Sequence, residues 1–198
     1  FCLSRGLGDV YKRQVMAIHT LAVLVENSPG VLARVASLFS RRGYNIDSLA
    51  VGQTENPKVS RMTIVLNLEG HALDQVSAQL FKLVNVIGIS EMKDTSSLKR
   101  EILLVKVANT DAAKAVVNKH KAVIADESKS TISIEAVGKS SEIESLLAEL
   151  KPHGIRELVQ SGLVALERGD QTLADRTLST MGTANESDPN SSTADYQN

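Results

Sequence analysis

Apolar and polar positions first fall into a clear pattern at residues 21–25. Leu21, Val23 and Val25 alternate there with Ala22 and Leu24, so the predicted strand is apolar on both faces and both faces need cover. From residue 27 the period lengthens. Val31, Leu32, Val35, Leu38 and Phe39 share one helical face, with Arg34 and Arg41 opposite. Asn27 or Ser28 is expected to cap this helix, with Pro29 in its first turn. Arg41, Arg42 and Gly43 then form a cationic last turn with a residue able to take positive φ, which predicts a helix stop and a return to extended chain at Asn45.

The alternation resumes at 46–51 and, after an Asn56-Pro57 loop signal, at 59–68, where Met62, Ile64, Leu66 and Leu68 share a face. A second helical stripe starts at His71 and runs through Leu73, Val76, Leu80, Leu83 and Val84, and a strand over 86–92 closes the unit. The order βαββαβ buries both stripes most economically on one face of a four-stranded antiparallel sheet, the ferredoxin-like arrangement. A short polar link, 94–98, leads into a second pass through the same order: strand 101–108, helix 110–121, strands 123–127 and 131–137, a helix, and a strand over 155–167 broken near Ser161-Gly162. Ser141 and Glu144 have capping-box spacing for that helix, and Pro152 with Gly154 ends it. The chain is therefore read as an α+β protein of two βαββαβ domains, residues 16–94 and 99–168. Residues 1–15 continue no pattern and are expected to be a non-native or disordered leader before Met16. The polar stretch 169–198 is expected to be a disordered tail.

With 198 residues and 42% hydrophobic content, two small cores can be filled. A net charge of −1 gives no overall reason to bind nucleic acid or an anionic membrane, and no apolar run approaches the roughly 20 residues that span a bilayer. The single cysteine, Cys2, excludes an intrachain disulfide and fits a reducing, cytoplasmic setting. Chemistry is sparse. His19, His71, His120 and His153 are isolated, and there is no phosphate-loop, dinucleotide or nucleophile motif. An RNA-recognition sheet stacks bases on aromatic residues of its central strands, and these strands carry none.

One binding site can be argued physically. Asn27, Ser28, Pro29 and Gly30 stand where a helix start presents unpaired N–H groups to a carboxylate. Asn27 could receive an amino group on its side-chain oxygen, and Val31, Leu32 and Ile46 offer apolar wall. The same residues also suit a plain capped helix, and Asn45 with Gly43 a plain helix exit.

HTLAVLVENSPGVLARVASLFSRRGYNIDSLAVG, followed by SRMTI, LFKLVNV, REILLVKV and HGIRELVQSGLVALERGD, resembles the regulatory small subunit of acetolactate synthase over residues 16–170. The resemblance implies that the first domain is an ACT domain, an amino-acid-sensing module. It implies a feedback effector, usually valine, at an ACT homodimer interface near Asn27, Gly30 and Asn45. It further implies a non-catalytic chain that activates a large subunit carrying thiamine diphosphate, Mg²⁺ and FAD, in valine, leucine and isoleucine biosynthesis. A free-standing ACT-domain regulator of another enzyme is the alternative.

Overall fold

The computed structural model describes residues 16–69, 72–170, 172–175 and 177. The expected leader, most of the expected tail, and His71 at the start of the second stripe lie outside the described residues.

In the first domain the elements are β1 (Met16–Glu26), α1 (Val31–Arg41), β2 (Ser48–Gln53), β3 (Val59–Glu69), α2 (Ala72–Leu80) and β4 (Val86–Glu91). The strands pair antiparallel in the order β2-β3-β1-β4. The apolar central strand pair is in register along its whole length, with Leu21 opposite Ile64 and Val23 opposite Met62. Leu21, Val23 and Val25 point into a core filled by Val31, Val35, Leu38 and Phe39 of α1 and Val76 and Leu80 of α2. Helix α2 is shorter than its stripe suggests: it ends at Leu80, Leu83 still packs on the core from the following turn, and Val84 is 94% exposed.

The second domain repeats the plan with β5 (Ser97–Ala108), α3 (Asp111–Lys119), β6 (Val123–Glu127), β7 (Thr131–Gly138), α4 (Ser140–Leu150) and β8 (Ile155–Gln160), in the order β6-β7-β5-β8. Its core joins Leu103, Val105 and Val107 to Val117, Ile134 and Leu146. Helix α4 starts earlier than expected. Its N-terminal box is formed two residues upstream of Ser141 and Glu144, with the Lys139 N–H donating to Glu142 Oε2 at 2.8 Å while Ser140 is engaged by Glu101. A further strand, β9 (Val164–Glu167), follows the break at Ser161-Gly162 and pairs with Ser97–Arg100. That pairing starts β5 at Ser97, so the last two residues of the expected polar link belong to the strand.

A third cluster lies on the face of the first sheet away from its helices, and it corrects one expectation. Ala22 and Leu24, the second face of β1, are buried against Met92, Ala165 and Leu173. The second face of β1 thus has the cover it needs from within the chain. The expected disordered tail also contributes to this core, because Leu173 is 5% exposed. Thr172 and Asp175 cap the helical turn that carries it: the Asp175 N–H donates to Thr172 Oγ1, and the Thr172 N–H to Asp175 Oδ2, each at 3.1 Å. Arg61 Nη2 donates to the Ala165 carbonyl at 2.8 Å and Lys99 Nζ to Thr20 Oγ1 at 3.0 Å, which ties the second domain to the first.

Candidate functional site

The chain leaves β1 at Glu26 and makes a tight, exposed turn before α1. Asn27 anchors it twice, its backbone N–H donating to the Lys58 carbonyl at 2.7 Å and its Nδ2 to the Pro57 carbonyl at 2.9 Å. Neither Asn27 nor Ser28 caps the helix, and Pro29 lies ahead of its first turn, which corrects the expected start. The N-cap is Gly30, in the left-handed region at φ 83° with no side-chain capping bond, and Val31 opens the helix. Left-handed backbone is the reason for glycine here, since most side chains resist that conformation. The Val31 N–H donates to the Ser28 carbonyl at 3.4 Å; the following N–H groups of the first helical turn have no intrahelical acceptor, and no capping side chain supplies one. Positive partial charge therefore faces outward at Gly30.

The surroundings are apolar on one side and polar on the other. Val31 is buried in the first core, while Leu32 lies beside it 44% exposed. Arg34 donates to Asn85 Oδ1, and Asn85 Nδ2 to Glu26 Oε2, a polar chain linking α1 to both ends of the adjoining strands. The Asn27 amide nitrogen is committed to Pro57, which leaves the Oδ1 of this exposed residue as its remaining side-chain acceptor. Neither Pro57 nor Asn85 stands out in the sequence as part of this site. The Asn56-Pro57 signal marks a loop but not the strand end it returns to.

Asn45 and Ile46 follow the other end of α1. Gly43, at φ 69°, terminates the helix, with Tyr44 N–H donating back to the Phe39 carbonyl at 3.1 Å. Asn45 is exposed and its Nδ2 donates to Asp47 Oδ1 at 2.7 Å, while Ile46 packs half-buried on the first core. An 11-residue helix separates this pair from Gly30. At 1.5 Å per residue that is about 16 Å. Within one chain, Asn27–Leu32 and Asn45–Ile46 form two patches, not one pocket. The cavities beside α1 are lined by its outer residues, such as Ala33, Ser37 and Arg41, and not by these patches.

Among the described residues no group of three or more His, Cys, Asp or Glu could hold a metal ion, and no helix is long and apolar enough to cross a membrane.

Known proteins with the same arrangement are consistent in kind. A family profile described as an AHAS small subunit-like ACT domain matches residues 21–88, and one described as the small subunit of acetolactate synthase matches residues 100–169. A protein from Mycolicibacterium smegmatis named acetolactate synthase small subunit is 50% identical over 155 residues, 76% of this chain and 91% of that protein. One of the same name from Mycobacterium leprae is 52% identical over 155 residues, 76% of this chain and 92% of its own length. The crystal structure of the acetolactate synthase small subunit from Thermotoga maritima superposes with a TM-score of 0.73 at 31% identity, covering 78% of this chain and 99% of that one.

Proposed function

We propose a mechanism for this chain from the fact that it belongs to the acetolactate synthase small-subunit family. It acts as the non-catalytic partner of a large subunit that holds thiamine diphosphate, Mg²⁺ and FAD. It raises that subunit's activity and transmits feedback inhibition by valine or another branched-chain amino acid.

The observation that carries the effector reading is the uncapped start of α1 beside an amide with a free acceptor. A zwitterionic amino acid matches both. Its carboxylate accepts from the first-turn N–H groups and meets the positive end of the helix, its ammonium donates to Asn27 Oδ1, and its branched side chain rests on Leu32. Asn45 and Ile46 lie too far along α1 to close this site from the same chain. A second copy can bring them to it, so the effector sits between residues 27–32 of one protomer and 45–46 of the other, in a homodimer formed through the first domain. Self-complementary contact of that kind is the ordinary geometry of a twofold dimer.

Regulation then requires the amino acid to bind more tightly to the less active assembly, because equal affinity for both states shifts nothing. For the large subunit, the second domain offers the outer face of its sheet, where Ile102, Leu104, Val137 and Val159 are exposed together. Adding the purified chain to its cognate large subunit and measuring acetolactate formation, with and without valine, tests the reading. Co-purification with a different enzyme would favour the free-standing regulator instead.

A further inference from the structure

An apolar recess lies on the face of the first sheet opposite its helices. It is a cavity of about 430 Å³ between that face, β9 and the C-terminal turn. Leu24, Val59, Ile87, Leu166 and Leu173 form its apolar walls. Thr177, whose hydroxyl donates to the Leu173 carbonyl at 2.8 Å, stands against Gly88 with no room for a Cβ between them.

The polar groups of the cavity are unlike those of a plain packing defect. Arg61 lines it with a guanidinium that is half-buried. Its Nη2 is used by the Ala165 carbonyl, while its Nε–H is buried with no hydrogen-bond acceptor. A buried donor left unpaired is costly, so this position favours a molecule that brings an acceptor. Burial lowers the pKa of Arg61, and the charges of Glu167 and Glu55 act against that, keeping the group cationic. Three carboxylates, Glu55, Glu167 and Asp170, line the same cavity, two of them at exposed positions near its mouth. A simple anion would be repelled by these carboxylates and a simple amine by Arg61. A molecule with both charges on one carbon and an apolar remainder meets all of them.

We propose that this cavity is a second small-molecule site, which takes an apolar α-amino acid with its carboxylate on Arg61, its ammonium toward Glu55 and Asp170, and its side chain among Leu24, Val59, Ile87 and Leu173. The site is independent of the one at the start of α1 and is lined on one side by Thr172, Leu173, Ala174 and Thr177, beyond the end of the small-subunit match at residue 169.

Calorimetry on the full chain carrying Gly30→Asp, which blocks the α1 site, isolates this one. L-leucine and L-phenylalanine are the probes, with their counterparts lacking either the ammonium or the carboxylate. At least one of the two amino acids should bind once per chain, and loss of either charged group should weaken binding by about tenfold or more. Ala174→Trp, a cavity-filling change at an exposed position, should abolish the binding while the fold is retained. Arg61→Gln should weaken it. The proposal is overturned if neither amino acid binds in the Gly30→Asp background, if the Ala174→Trp protein binds as well as its parent, or if the singly charged counterparts bind equally. Failure of the regulatory role would appear separately, as absent activation of the large subunit.

Discussion

A methyl group placed on Gly162 would stand 2.3 Å from the carbonyl oxygen of Leu49, so the β8–β9 connection and strand β2 meet backbone to backbone. The neighbouring Leu163 N–H donates to Ser48 Oγ at 2.8 Å. The glycine needed here is thus explained by close approach across the two domains, in addition to the break it makes between two strands. Gly162→Ala has no rotamer that relieves a clash with main chain. It should cost about 2 kcal/mol or more in chemical denaturation, whereas Ser48→Ala, which removes one hydrogen bond, should cost about 1 kcal/mol.

Leu173 should behave as a core residue. Leu173→Ala is expected to destabilise the protein by about 2 kcal/mol. Leu166→Ala, at a side chain 59% exposed, is the matched control and should change little. Equal midpoints for the two variants and the parent in a urea titration would mean that Leu173 does not cover Ala22 and Leu24 in solution.

At the start of α1, Asn27→Ala should raise the valine concentration for half-inhibition of the reconstituted enzyme by about ten- to a hundredfold, the loss expected for one hydrogen bond to a charged group. Gly30→Asp should act in the same direction by setting a carboxylate where the effector's own belongs. Aspartate tolerates left-handed backbone better than most residues, so the φ of 83° at this position makes the substitution strained but not prohibitive. Asn45→His should weaken inhibition from the other end of the helix. Activation at zero valine should persist in all three. Isoleucine and valine differ by one methylene, worth about 0.8 kcal/mol or roughly fourfold, so discrimination between them should be modest.

Acid should loosen two surface links in the second domain. Glu127 is held below the usual carboxylate range by hydrogen bonds from Lys114 and Asn109 and by the charge of Lys114, and Glu149 by hydrogen bonds from Lys119 and His120. A depressed carboxylate stabilises the fold above its unfolded value of 4.5 and loses that contribution as pH falls through the lower folded value. Glu127 is exposed and Glu149 about one-third exposed, so solvent screens both and the effect on stability should be small. Carboxyl titration by NMR is the better readout, and Lys114→Met should move Glu127 upward toward its ordinary value.

On the outer face of the second sheet, Leu104→Lys should leave the melting temperature nearly unchanged, because the side chain is already 49% exposed. It should weaken association with the large subunit. Undiminished association by sedimentation would move the contact elsewhere.

The two βαββαβ passes are legible in the sequence because each core residue is repeated at the spacing of its element, as with Leu21, Val23 and Val25 against Val31, Val35 and Leu38. What the pattern misses depends on partners distant in the chain. Ala22 and Leu24 announce a second buried face but not that Ala165 and Leu173 fill it. Ser97–Arg100 resembles a polar link because its role as strand is fixed by pairing with Val164–Glu167. Local caps are ambiguous for the same reason: Asn27 has the chemistry of a cap but is held by Pro57, and Ser140 by Glu101, which leaves Gly30 and Lys139 at the helix starts. The candidate site was readable as residues, and the separation of its two halves by the length of α1 was implicit in the helix itself.

The role proposed for this chain is to regulate a catalytic partner without turnover of its own. The most direct measurement is acetolactate formation from pyruvate as the purified chain is titrated into its cognate large subunit, at zero and at saturating valine. The account predicts no product from the chain alone, a saturable rise in rate on adding it to the large subunit, and loss of that rise with valine. A rate unaffected by the chain at any ratio, or pyruvate turnover by the chain alone, would contradict it.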